Sequence, residues 1–222
     1  MSAAPSHHDL QGRNRWLVLG LALISGLLVS ASYFFPYWNI KLVAPQYPKG
    51  LVTTIFLHGV GGDVHEVDLI NHYIGMHKLT EAAPFERMAG PYALVFLAVL
   101  AVVGVLFLGR KPNWLLIGVA LALPLGFLAD TMYWMYRFGH NLDATAAIDF
   151  PPFMPQLFGH GQIGQFHTWA WPGSGFWMAV AGSAVLIGAV LLRQRLCRRC
   201  PSADICGASC PHRFVLPPRV RA

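Results

Sequence analysis

The chain reads as an all-α membrane protein, with four transmembrane helices and two long extracytoplasmic loops, the first of which folds into a small α+β cap. Three observations predict this. Of the 222 residues, 55% are hydrophobic and only 12% charged, about half of the roughly 25% charged in soluble domains. Four apolar stretches, Trp16–Phe35, Pro91–Leu108, Trp114–Tyr133 and Phe176–Leu192, reach the roughly 17–25 residues that a bilayer crossing takes. Basic residues are split unevenly between the loops these stretches define.

Each stretch must be helical, because backbone groups in lipid have to be satisfied internally. Arg13, Arg15, Arg110, Lys111 and seven arginines after the fourth span lie on one side, eleven in all; Lys41, Lys49, Lys78, Arg87 and Arg137 lie on the other. The positive-inside rule then predicts that both termini are cytoplasmic. The net charge of +6 is this topological signal, so nucleic acid is not an expected partner; the lipid bilayer is. The division is a tail over 1–15, a cap loop over 36–90, a turn over 109–113, a second outer loop over 134–175 and a tail over 193–222.

Residues 1–12 carry His7-His8 without periodicity and read as an irregular tail. Ser30-Ala31-Ser32 resembles a signal cleavage site, but the apolar core before it is longer than the 7–15 residues usual in a signal, which predicts a retained helix. In the first outer loop, Tyr37-Trp38 sit at the interface and Pro45 to Gly50 make a turn. Leu51–Leu57 reads as a strand, Gly59–Asp63 as a turn and Val64–Leu69 as a second strand. A helical turn capped by Asp68 or Asn71 follows. Pro124 should kink the third span. The second outer loop is dominated by Pro and Gly and reads as irregular, clamped by aromatic packing.

The segment Asn71-His72-Tyr73-Ile74-Gly75-Met76-His77 places imidazole and thioether groups close together. In a helix, His72 and Met76 share a face one turn apart, and such donors suit copper above all. The competing reading is a capped amphipathic turn whose His and Met are packed. The two outer loops hold His58, His65, His72, His77, His140, His160 and His167, seven of the ten histidines. The expected metal ligands are His72 and Met76, with His77, His140 and His167 as additions. Asp130, Tyr133 and Arg137, at i, i+3 and i+7, form a polar stripe at the outer end of the third span. An ionisable residue there suggests function, against the alternative of an Asp–Arg tie to the outer domain. Cys197, Cys200, Cys206 and Cys210 lie in the last tail. Their spacing offers a weaker zinc reading, because the intervening segments are shorter than a zinc ribbon requires.

Ala44-Pro45-Gln46-Tyr47-Pro48-x-Gly50-Leu51, Asn71-His72-Tyr73-Ile74-Gly75-Met76, Gly139-His140-Asn141-Leu142-Asp143 and Pro151-Pro152-Phe153-x-Pro155 resemble, in the same order, a family of four-span bacterial membrane proteins. Its members accompany genes for maturation of nitrous-oxide reductase, a periplasmic copper enzyme. The resemblance covers 36–175 and leaves out the cysteine tail. The motifs are specific for the family rather than for an activity.

No phosphate loop, nucleophile elbow or zinc-protease helix is present in the sequence, so the chain is read as a non-enzyme. The spans contain no histidine for a buried haem, and there is no Cys-x-x-Cys-His. The expectation is an accessory protein that binds or delivers copper on the periplasmic face, with a periplasmic copper enzyme or a respiratory complex as partner. The alternative is a structural or quinol-side subunit of a respiratory membrane complex.

Overall fold

A computed structural model describes residues 7–107, 113–148 and 151–197. Its long helices are α1 (His7–Ala31), α3 (Pro84–Phe107), α4 (Asn113–His140) and α5 (Ser174–Cys197); a short α2 (Val64–Tyr73) lies between the first two. The long helices contain apolar segments of 19, 22, 27 and 21 residues, each sufficient to cross a membrane. The helices extend beyond the expected spans: α1 takes in residues from His7, α3 begins before Pro91, and α4 runs on through Trp134 to His140. Both Pro91 and Pro124 lie inside continuous helices, as membrane spans tolerate.

Around the bundle, α1 packs on α5 and α3, and α4 packs on α5 and more loosely on α3. Small residues let the backbones approach. Ser25 Oγ donates to the Gly182 carbonyl at 2.8 Å, and Ser183 donates to the carbonyls of Ala120 and Ala179. Ala22, Ala179, Ala189 and Val190 are fully enclosed, while Leu23, Leu27, Val95, Phe96, Leu125 and Trp177 stand exposed on the bundle's outside. Packing through small residues, with large apolar side chains facing outward, is the arrangement expected of helices in lipid.

The all-α expectation needs correction, because both outer loops contribute to one five-stranded antiparallel sheet. Its strands are β1 (Trp38–Ala44), β2 (Tyr47–Phe56), β3 (Gly59–Gly62), β4 (Gly159–Ile163) and β5 (Phe166–Pro172), in the order β3-β2-β1-β5-β4. The expected strand over Leu51–Leu57 is part of β2. Gly59–Gly62, expected as a turn, forms an edge strand instead. The second loop is not irregular throughout, since its end folds as the β4–β5 hairpin paired to β1. Alternation explains this: Trp38 and Ala44 in β1, Leu51 and Thr53 in β2, and Phe166 and Ala170 in β5 turn inward.

Val64–Leu69 is helical rather than extended. Its buried positions are Val64, Val67, Asp68 and Asn71, at i, i+3, i+4 and i+7, which is helical periodicity. Neither Asp68 nor Asn71 caps this helix at its start. The carboxylate of Asp68 accepts hydrogen bonds from Leu79 N at 2.6 Å and from Thr80 Oγ1 at 2.7 Å. Arg87 donates to the carbonyls of Leu79 and Thr80 from the other side. The turn into α3 is thereby pinned beneath the sheet.

The sheet's inner face rests on the upper end of α4. At 28 residues and about 1.5 Å per residue, α4 is about 42 Å long, against a hydrocarbon core of about 30 Å. Its last turns therefore carry Met135 and Phe138 into a core with Leu51, Val64, Val67 and Leu79. Tyr37 and Trp38 are wholly buried, packed with Ala170, Phe176 and Ala179 where the sheet meets the bundle. Tyr37 shares a 2.6 Å hydrogen bond with Ser32, and Trp38 Nε1 donates to the Leu157 carbonyl at 3.1 Å.

Candidate functional site

The motif around His72 is built as a helix terminus. α2 stops at Tyr73, and Gly75 follows with φ of 77°. Gly75 N donates to the His72 carbonyl at 3.3 Å and Met76 N to that of Asn71 at 2.8 Å, a Schellman arrangement with glycine in the left-handed position. Met76 lies beyond the helix, so the premise of a shared helical face with His72 fails. The Met76 side chain packs against the cluster of Ala44, Ile74 and Phe166, which Ile70 also joins, the kind of apolar contact that usually accompanies such a terminus. His72 and His77 are exposed.

A second motif closes over this turn. Asp143 N donates to the Gly75 carbonyl at 2.8 Å, and Ile148 N to that of Tyr73 at 3.1 Å. The Asp143 carboxylate is held below its usual range, chiefly by the Thr145 backbone N–H, then by the Thr145 hydroxyl and more weakly by the nearby His72 and His77. His140 ends α4, with Nδ1 3.0 Å from the Tyr136 carbonyl and its ring stacked on Tyr136 at 4.0 Å. The motifs at Asn71–His77 and Gly139–Asp143 thus interlock through main-chain bonds, which accounts for their glycines and aspartate without a ligand.

His167 is differently placed. In the β4–β5 hairpin, His160 pairs with Trp169 and His167 with Gln162, so the two histidines are diagonal neighbours on one sheet face. Their rings stack at 5.4 Å, and His160 Nε2 lies 3.2 Å from His167 Nδ1. Trp169 adjoins both, at 4.7 Å from His160 and 6.1 Å from His167. This face points away from the core, with Trp169 and Trp171 exposed. His160 was not among the expected ligands. Its signal was that His160 and His167 flank Gly164-Gln165, four residues before and two after, which a two-residue turn between alternating strands makes diagonal neighbours on one face.

Asp130 and Arg137 form no ion pair; two helical turns separate them by about 10 Å. Arg137 lies over the rings of Trp134 and Tyr133 at 5.4 and 5.8 Å. Asp130 faces a cleft between α3 and α4, which Glu86 and Trp134 also line. Cys200, Cys206 and Cys210 lie outside the described residues, and Cys197 is the last residue of α5. Among the described residues, no three His, Cys, Asp or Glu side chains gather as a metal-binding group.

No family model, curated protein or solved structure matches the chain. At metal–nitrogen distances of about 2.0–2.1 Å, two imidazole ligands of one ion lie roughly 3.3–3.4 Å apart at a near-tetrahedral angle. The His160–His167 pair, at 3.2 Å, is slightly closer than that and needs only a small opening to admit an ion. Two neutral imidazoles would supply half of a tetrahedral set and leave the other positions open.

Proposed function

We propose that this protein is an accessory protein of the bacterial inner membrane, with cytoplasmic termini, that holds copper on its periplasmic face and passes it to a copper enzyme of respiration. The observation that carries this reading is the 3.2 Å approach of His160 Nε2 to His167 Nδ1 on the outward face of the sheet. Imidazole pairs favour copper over the other divalent first-row ions. The adjacent Trp169 ring offers its face to a cation. An incomplete ligand set suits transfer, because an acceptor can add its own donors before the first two let go.

The resemblance carried by the four motifs agrees with this role. Of the ligands expected from sequence, His167 belongs to the pair; Met76 is packed at the turn after α2, His140 stacks on Tyr136, and His72 and His77 stand exposed beside that turn. Copper retained by the purified full chain, measured by metal analysis and by Cu(I) competition with a colorimetric chelator, tests the reading. The double substitution His160→Ala and His167→Ala should abolish binding at one equivalent, while His72→Ala with Met76→Leu should leave it unchanged. Equal copper binding by the His160/His167 variant and the parent would overturn the proposal, and the pair would then be a hydrogen bond between strands.

A further inference from the structure

We infer that the cleft between α3 and α4 is a binding site for a neutral amphiphile with a hydroxylated ring head, of the quinol class. This inference is independent of the copper reading. The cleft exists because α3 and α4 are loosely packed neighbours whose facing walls are made of small residues, among them Ala89, Ala93 and Gly126. Its volume is about 330 Å³, within the roughly 300–1,000 Å³ of small-molecule sites. Residues of β2 and the following turn roof it, and Leu97 and Leu123 reach down into the bundle.

The polar groups are few and gathered at the upper end. Glu86 on α3 and Asp130 on α4 line it from opposite walls, close enough for each charge to act on the other. Trp134 lies one turn above Asp130. Its Nε1 is buried without a hydrogen-bond partner; Asp130 is near it but falls short of hydrogen-bond geometry. A buried N–H left unpaired is costly, and so are carboxylates facing apolar walls.

One ligand chemistry answers all three groups. A quinol head brings two hydroxyl donors for the carboxylates and an oxygen acceptor for the indole, while its apolar tail follows Ala93 and Leu97 toward lipid. Arg87 also lines the cleft, but its guanidinium is engaged by the carbonyls of Leu79 and Thr80, so a phospholipid's phosphate would chiefly meet the two carboxylates and is disfavoured. Gly126 is the position where the cleft can be closed without a clash, since a Cβ there meets nothing within 4 Å.

The test is native mass spectrometry of the full chain in mild detergent, incubated with decylubiquinol, alongside melting curves. A single adduct is expected. Gly126→Leu should melt as the parent does yet lose the adduct, and Trp134→Phe should weaken binding about tenfold, the effect of one hydrogen bond. Decylbenzene, which lacks the hydroxyls, should not bind. Undiminished adduct in Gly126→Leu, equal binding of decylbenzene, or a co-purifying phospholipid that decylubiquinol cannot displace would each overturn the inference. If Gly126→Leu fails to fold, Trp134→Phe decides: unchanged affinity overturns it.

Discussion

Tyr37 is the residue on which the two halves of the molecule meet. Its hydroxyl is bonded to Ser32 at the end of the first span, its N–H donates to the Ile55 carbonyl at 2.7 Å, and its carbonyl accepts from Gly173 N at 2.9 Å. Burial pushes the phenol up to about 12, partly offset by the bond to Ser32. A folded pKa above the usual value of about 10 means that the neutral phenol is what folding favours. The stability it contributes is complete below about pH 10 and is lost as pH rises toward 12. Melting temperature measured from pH 9 to 12 should therefore fall more steeply in the parent than in Tyr37→Phe. At neutral pH the same variant should lose about 1 kcal/mol, one buried hydrogen bond. Parallel pH profiles would show that the hydroxyl is not buried as described.

At the scale of elements, the end of α2 shows what local sequence could and could not reveal. A glycine two residues past the helix, followed by methionine, is the pattern of a Schellman terminus, and it was present in Tyr73-Ile74-Gly75-Met76. A metal reading of His72 and Met76 assumed that the helix continued through this glycine. Gly75 is held at φ of 77°, and a Cβ there would come within 2.8 Å of the Asp143 carbonyl oxygen. Gly75→Ala should cost about 2 kcal/mol in denaturant unfolding, from left-handed strain and that clash, whereas His72→Ala, at an exposed position, should stay within about 0.5 kcal/mol. The reverse order would restore the motif to the functional side. The four spans were legible because length and hydropathy decide them without reference to the rest of the chain. The β1–β5 pairing was not, because Trp38–Val43 meets His167–Pro172 across more than a hundred residues of sequence. The alternation Phe166-His167-Thr168-Trp169-Ala170-Trp171 was visible, but neighbouring Pro and Gly drew the segment into an irregular reading. The His160–His167 contact belongs to the β4–β5 hairpin of that same segment, so it was hidden with it.

For the whole molecule, the sheet is assembled from the α1–α3 and α4–α5 connections, so both lie at one end of the bundle. That agrees with the side assignment drawn from the eleven-to-five division of basic residues. Reporter fusions after Gly90 and after Arg193 should give opposite signals, periplasmic at the first and cytoplasmic at the second. A periplasmic reporter active at Arg193 would reverse the assignment and remove the outer face from the compartment where copper enzymes are matured.

The placement of β1 at the centre of the sheet also sets a timetable for biogenesis. β2 and β3 follow β1 within a few residues and can pair as soon as they emerge. The other edge of β1 must wait for β5, which leaves the ribosome only after α3 and α4 have been made. Until then Trp38–Val43 presents a row of unpaired backbone groups, the kind of edge on which chains aggregate. A nascent chain stalled before residue 166 therefore carries an unfinished sheet, recognisable to proteases and chaperones. Arrival of the last hairpin, which carries the His160–His167 pair across its own turn, completes the sheet and sets that pair on its outward face.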